Sequence, residues 1–349
     1  MVLKNTSDKA IGVIGAGSFG TAIANILAEK NDQVLVYVRS AEKAAELNSS
    51  RMSAGQPLLG NITVTESLKD IGEQCDLIFP MIPSEGFRGM MKQLSPYLKP
   101  YHILIHGTKG FDYTEPKVAG EILSRDHVKT MSEVIQEESS VLRVGCLAGP
   151  NLAREIADGK PAATVIASQF DEVVKIGQKL LKNDRFLIYG NSDLIGIELC
   201  GILKNIIALG AGTVSGMGLG ENAKALFISR GLVEMVHIGK AMGGNVQAFL
   251  GLAGVGDLMA TCSSNLSRNF YVGKQLATGK TIDTISNEME EVAEGVRTIN
   301  IIKNLAGFYG IRCPITETLY RVLHGETTVE DAHHYLMKFP FRAEIDFLD

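Results

Sequence analysis

The chain has 349 residues, 45% of them hydrophobic and 21% charged, which suits two domains with a core in each. Its 34 Lys+Arg against 39 Asp+Glu give a formal net charge of -5, a balance that points away from nucleic acid and from anionic membrane surfaces. The polar start "MVLKNTSDKA" does not read as a signal peptide, and no run of about 18 uncharged apolar residues stands out as a membrane span.

In chain order, "AIGVIGAG" (10–17) reads as a strand and "TAIANILAE" (21–29) as a helix. "QVLVYV" (33–38), "NITVT" (61–65), "CDLIFPMIP" (75–83), "HILIHG" (102–107) and "VGCLAG" (144–149) read as further strands. "ATVIAS" and "FLIYG" (186–190) follow, separated by the amphipathic helix "DEVVKIGQKLLKN". Apolar strands alternating with helices predict a parallel sheet covered on both faces. After about residue 192 only helical spacing remains, over 195–212, 222–242, 267–278, 296–309, 314–324 and 328–338. The glycine-rich "GAGTVSGMGLG" separates the first two of these. The expected fold is α/β: a Rossmann-type, doubly wound parallel sheet over 1–192, then an all-α domain over 193–349. Five scattered cysteines (Cys75, Cys146, Cys200, Cys262, Cys313) never pair as CxxC, so they read as reduced, buried thiols of a cytoplasmic protein. The seven histidines, His333 and His334 included, show no ligand spacing, and no metal site is expected.

"GAGSFG" (15–20) follows the first strand and opens the first helix, the context in which G-x-G-x-x-G signals a dinucleotide site. Gly15 permits the turn, Gly17 lets backbone approach a pyrophosphate, and Gly20 lets helix and strand pack closely. The helix N-terminus offers unpaired amides and partial positive charge to the phosphates. At the end of the second strand, "VYVRSAE" presents Arg39 where an acidic residue would select NAD, with Glu42 beyond. This favours NADP, or use of both cofactors; stacking of Arg39 on adenine is the other reading.

In "ELCGILKNIIALG" (198–210), Lys204 sits in a nearly all-apolar helix, in line with Gly201 and Ala208. Desolvation lowers a lysine's pKa and would tune this amine to trade protons; an amine that snorkels to water is the alternative. "HGTKGFD" (106–112) places Lys109 in a loop where the cofactor crevice is expected, and Lys204 is expected to line the same crevice. "LAGPNLARE" (147–155) makes a turn at Gly149, Pro150 and Asn151 before a helix. "GLAGVGDLMATCSSNLSRN" (251–269) brings a glycine-rich turn, Asp257, and then Ser267, Arg268 and Asn269, a hydroxyl, a guanidinium and an amide able to hold a phosphate. Two lysines, a carboxylate and an anion clamp suit reduction of a small phosphorylated ketone.

With "GAGSFGTAIA", "GTKG", "AGPNLARE", "ELCGILKNIIALGAGTVSGMGLGENAKALFISRGLVEM", "GLAGVGDLMATCSSNLSRN" and "VAEGVRT" in view, the whole chain resembles the bacterial-type, soluble NAD(P)-dependent glycerol-3-phosphate dehydrogenases. The resemblance implies interconversion of dihydroxyacetone phosphate and sn-glycerol 3-phosphate for phospholipid synthesis, by a cytoplasmic enzyme that is usually a homodimer. It implies Lys204 as proton donor or acceptor, and Lys109 as a contact to substrate and cofactor. Gly149, Asn151, Asp257, Ser267, Arg268 and Asn269 match substrate positions. Ser18, Phe19, Arg39, Ala153, Val292 and Glu294 match cofactor positions, and Arg268 lies near the cofactor as well. Asp257 is expected to orient or pair with Lys204, and Asn205 to support the reacting oxygen. Asn151 stands where Ser or Thr is usual, and Pro80, with no amide to donate, is expected to make its strand locally irregular. Two other readings remain: a related two-domain reductase acting on a carboxylate-bearing ketone, and a nucleotide-sensing module without catalysis.

Overall fold

The structure, a computed structural model, describes residues 9–115, 123–289 and 293–340. Eight strands form one sheet: β1 (Ala10–Ile14), β2 (Val34–Tyr37), β3 (Ile62–Thr65), β4 (Cys75–Pro80), β5 (Ile103–His106), β6 (Arg143–Ala148), β7 (Ala162–Ala167) and β8 (Phe186–Asn191). Their spatial order is β8-β7-β6-β5-β4-β1-β2-β3. Neighbours run parallel except β6 and β7, which pair antiparallel from Cys146↔Ala167 to Ala148↔Val165. This one departure from the expected all-parallel sheet has a cause in the connection. The link holds a helix of only five residues, Ala153–Ala157, about 8 Å long at 1.5 Å per residue, too short to carry the chain back along a six-residue strand. The expected irregularity at Pro80 is also displaced. Pro80 ends β4 and its carbonyl accepts from Gly107 N at 3.0 Å, while the register shift lies at the other end, between Ala10 and Ile11.

Alternate residues of β1, β2, β4, β5 and β6 feed two cores. Val13, Val34, Val36, Phe79 and Ile105 pack with Ile23 and Leu27 of α1 (Ser18–Ala28), and with Val173 and Leu181 of α7 (Asp171–Leu181). Ile14, Leu35, Ile78 and Leu104 pack with Ile71 of α3 (Leu68–Gln74), Phe87 and Met91 of α4 (Phe87–Leu94), and Val134 of α5 (Met131–Glu138). The remaining helices of this region are α2 (Ala41–Ser50) and α6 (Ala153–Ala157).

The chain divides into two compact units, one running to Asp112 with Thr130–Leu194, the other comprising Tyr113–Lys129 and the chain from Ile195 onward. The helices of the second unit are α8 (Leu194–Gly216, whose first residue belongs to the first unit), α9 (Gly220–Ala241), α10 (Val246–Leu250), α11 (Asp257–Ser263), α12 (Arg268–Leu276), α13 (Ile282–Glu288), α14 (Glu294–Tyr309), α15 (Pro314–Leu323) and α16 (Val329–Lys338). The glycine-rich stretch after residue 209 does not break α8, which runs through it to Gly216. A β-carbon on Gly212 would fall 2.2 Å from the Phe270 carbonyl oxygen; the residue is glycine so that α12 can lie against α8. By length and composition α8 could cross a membrane, but 94% of its most apolar window is buried inside the protein, as in the core helix of a globular unit.

Candidate active site

In the first unit the chemistry is mostly backbone. Gly15 has φ +108, open to glycine, and a β-carbon on Gly20 would fall 2.1 Å from the Gly15 oxygen. Gly17 occupies the N-cap of α1 with no side-chain cap, and a β-carbon there would meet no atom within 4 Å. The first turn of α1, with Ser18 and Phe19, thus presents amides to open space beside the loop, which fits a dinucleotide pyrophosphate. Phe19 lies against Gly107, whose added β-carbon would stand 2.9 Å from its ring. Arg39 is exposed, and the next residue, Ser40, caps α2 by accepting from Lys43 N at 3.1 Å.

The same unit brings Lys109, Gly149 and Asn151 together. Lys109 Nζ donates to the Gly149 carbonyl at 3.3 Å. Gly149, with φ +149, follows β6 and packs against Thr164 of β7. Asn151 Nδ2 donates to Thr164 Oγ1 at 2.9 Å, and that hydroxyl donates to Ala148 O at 3.0 Å. Asn151 therefore spends its amide on β7 and keeps a buried carbonyl oxygen, Oδ1, that accepts from no protein donor. A Ser or Thr here would be too short to make the same span. Ala153 opens α6 two residues on.

In the second unit Lys204 is only 5% exposed and Asp257 only 2%. Lys204 Nζ donates to Asp257 Oδ1 at 2.5 Å and to Thr261 Oγ1 at 2.7 Å. Thr261 in turn donates to the Asp257 carbonyl at 2.6 Å. Asp257 and Thr261 are one turn apart on α11, so both face the amine. The amine neither snorkels to water nor sits bare among apolar groups. It is paired with a buried carboxylate 2.5 Å away. Thr261 escaped the sequence reading; its signal is the four-residue spacing from Asp257. The expected turn before Asp257 is a π-helical one, Leu252–Gly256, which leads directly into α11. Burial also pushes the neighbouring Cys262 thiol up to about 12, against the pull of Lys204. All five cysteines are buried and outside any disulfide.

The proposed anion clamp sits at the head of α12. Ser267 is its N-cap and accepts from Phe270 N at 3.3 Å. Arg268 follows, exposed. Asn269 is 7% exposed and its Oδ1 accepts from Gly295 N at 2.8 Å, in the first turn of α14 beside Glu294. That bond fixes the amide's orientation, with Nδ2 as the donor side. A β-carbon on Gly295 would stand 2.6 Å from Asn269 Oδ1 and 2.8 Å from the Asn205 carbonyl. The start of α14 is thus wedged between α12 and the residue next to Lys204. Val292 lies outside the described residues.

Comparison with known proteins matches both units. Residues 10–174 fit the family model described as NAD-dependent glycerol-3-phosphate dehydrogenase N-terminus, and residues 193–334 the one described as its C-terminus. The glycerol-3-phosphate dehydrogenase [NAD(P)+] of Geobacter metallireducens is 39% identical over 341 residues, 96% of this chain and 98% of that protein. The crystal structure of glycerol-3-phosphate dehydrogenase from Coxiella burnetii superposes with a TM-score of 0.85 at 30% identity, covering 95% of this chain and 99% of that one. A ketopantoate reductase from Ralstonia eutropha shares the fold alone, at 13% identity and a TM-score of 0.51 over 94% of this chain and 99% of that one. The chain belongs to the NAD(P)-dependent glycerol-3-phosphate dehydrogenase family and is an oxidoreductase.

Proposed function

We propose that the reaction is the reversible reduction of dihydroxyacetone phosphate to sn-glycerol 3-phosphate, with Lys204 as the group that moves the proton at the C2 oxygen. The observation that carries this reading is the buried Lys204–Asp257–Thr261 set. When bound, the nicotinamide would supply or receive a hydride, the two electrons together with the hydrogen on C2, for the carbonyl–carbinol interconversion. Lys204 Nζ gives a proton to the C2 oxygen in the reductive direction and takes it back in the other. Asp257 and Thr261 hold that nitrogen in one place, so little reorganisation is left for the reaction itself. Arg268 and Asn269 Nδ2, with Ser267 beside them, take the phosphate, and binding there positions C2. The resemblance adds Lys109, Gly149 and Asn151 as substrate positions, and Asn205 is assigned to support the oxygen.

The cofactor reading assigns the pyrophosphate to Gly15, Gly17, Ser18, Phe19 and Gly20. The resemblance assigns Lys109, Ala153, Arg268, Val292 and Glu294 to further cofactor positions. Arg39 at the end of β2 favours the 2′-phosphate of NADPH over NADH. No metal takes part in this scheme. The product feeds glycerophospholipid synthesis, and the enzyme works as a cytoplasmic homodimer, both on the strength of the resemblance.

Absorbance of NADPH, followed with dihydroxyacetone phosphate and separately with 2-dehydropantoate, tests the substrate. The expected result is turnover of the phosphorylated ketone alone. Faster oxidation with the carboxylate ketone would replace this reading with the other reductase class, and tight NADPH binding without turnover would leave a sensing module. The same assay with NADH ranks the cofactors.

A further inference from the structure

The hairpin that follows α2 carries two short strands, Met52–Ser53 and Gln56–Pro57, with Ser53 opposite Gln56. Residues directly opposite in an antiparallel pair point to the same side, and Ser53 and Gln56 are 3% and 7% exposed while Met52 and Pro57 face out. Both buried side chains end on carbonyls of the dinucleotide loop. Ser53 Oγ donates to Ala16 O at 2.9 Å, and Gln56 Nε2 donates to Ser18 O at 2.9 Å. Thr21 Oγ1 lies 2.9 Å from Ser53 Oγ and 3.3 Å from Ala16 O. One turn further along α1, Asn25 donates to Pro57 O at 2.8 Å and accepts from Leu59 N at 3.2 Å. The face of α1 toward the hairpin is thus laced by polar bonds.

The hairpin holds this position under strain. Among the described residues, the two non-glycine residues with positive φ are Arg51 (φ 54) and Ala54 (φ 47), immediately before and inside it. Ala54 and Gly55 (φ 75) form its two-residue turn, where a tight hairpin demands positive φ at both positions and favours Asn or Gly at the first. Gln56 Oε1 is buried without a protein donor. Strain and an unpaired polar atom concentrated at one loop mark a place held for a purpose other than packing.

We propose that Ser53 and Gln56 are positioning residues for the dinucleotide: they fasten the Ala16 and Ser18 carbonyls, which fixes the loop with its amides turned toward the pyrophosphate. The inference rests on the assignment of the cofactor to the glycine loop. Its effect is specific to the cofactor, because neither residue belongs to the set around Lys204.

The test titrates Ser53→Ala, Gln56→Met and the double variant with NADPH, read by the cofactor's fluorescence, and then measures steady-state kinetics. The double variant is expected to raise the NADPH Kd and the NADPH KM by roughly tenfold. Its kcat and its KM for dihydroxyacetone phosphate stay within about twofold of the parent, and Ser53→Thr restores the Kd. An unchanged Kd overturns the proposal. So does a parallel loss in kcat and both KM values, which marks general loosening. Should the double variant not fold, the single variants are read by the same criteria. Gly17→Val is the control for the loop itself, since a β-carbon there meets no protein atom. If Gly17→Val loses NADPH while the hairpin variants keep it, the positioning role alone falls. If Gly17→Val binds NADPH like the parent, the loop assignment falls and the positioning role with it.

Discussion

Asp257 and Glu234 are both carboxylates withdrawn from water, 2% and 4% exposed, in the same helical unit. Asp257 faces an ammonium, Lys204 Nζ, at 2.5 Å. Glu234, on α9, faces no lysine or arginine within ion-pair distance among the described residues. It accepts instead from Ile315 N and Thr316 N, each at 2.8 Å, and from Thr316 Oγ1 at 2.5 Å. Those donors are the uncapped start of α15, so Glu234 closes a helix N-terminus from another helix. A carboxylate whose donors are all fixed architecture is a fastener. One whose partner is a titratable amine can take part in proton traffic. The charge partner, more than burial, separates the carboxylate proposed to work from the structural one.

That contrast can be broken by substitution. Asp257→Ala removes the carboxylate paired with a buried ammonium, and unfolding free energy is expected to fall by about 3–5 kcal/mol. Turnover should fall by at least about a hundredfold in the fraction that folds. Denaturant melts and kcat measured together check both. Glu234→Ala orphans three donors at the start of α15 and is expected to cost about 3 kcal/mol, with kcat per folded molecule unchanged. A loss of kcat at constant fold would place Glu234 in the chemistry. Arg268→Ala removes the charge-assisted phosphate contact proposed for it, so KM for dihydroxyacetone phosphate should rise by roughly tenfold or more with kcat little changed. An unchanged KM removes Arg268 from the clamp.

The smallest expected effect is in pH. Burial raises the Glu234 carboxyl from 4.5 to about 7, against the hydrogen bonds from Thr316 and Ile315 and the nearby His237. A raised folded-state value means that the folded protein binds this proton more tightly than the unfolded one. The associated stability is complete below about 4.5 and is lost as pH rises through about 7. Thermal melts across that window should therefore show a decline in the parent that is missing in Glu234→Gln.

The sheet strands were legible because each is a short apolar run, and the glycine loop because its glycines follow a strand and open a helix. The six helical stretches read after residue 192 kept their places for the same reason of periodicity. What local pattern does not announce is pairing across distance. Lys204 and Asp257 are 53 residues apart, and their pairing was expected beside the family resemblance, not from spacing; Glu234 and Ile315 are 81 apart, and that pairing escaped. Glycine misled twice. It read as a break in α8 and as a turn before Asp257, yet a β-carbon on Gly254 would fall 1.9 Å from the Phe249 oxygen, so there too it permits close packing within helical structure. The hairpin at 52–57 went unread because its two polar side chains matter only against the loop they touch.

The most direct test of the account is the turnover of Lys204→Ala at saturating dihydroxyacetone phosphate and NADPH, with NADPH affinity measured on the same sample. The account predicts a Kd within about twofold of the parent and a kcat lower by at least about a hundredfold. A kcat within about tenfold of the parent would contradict it, because the proton at C2 would then be moving without that amine.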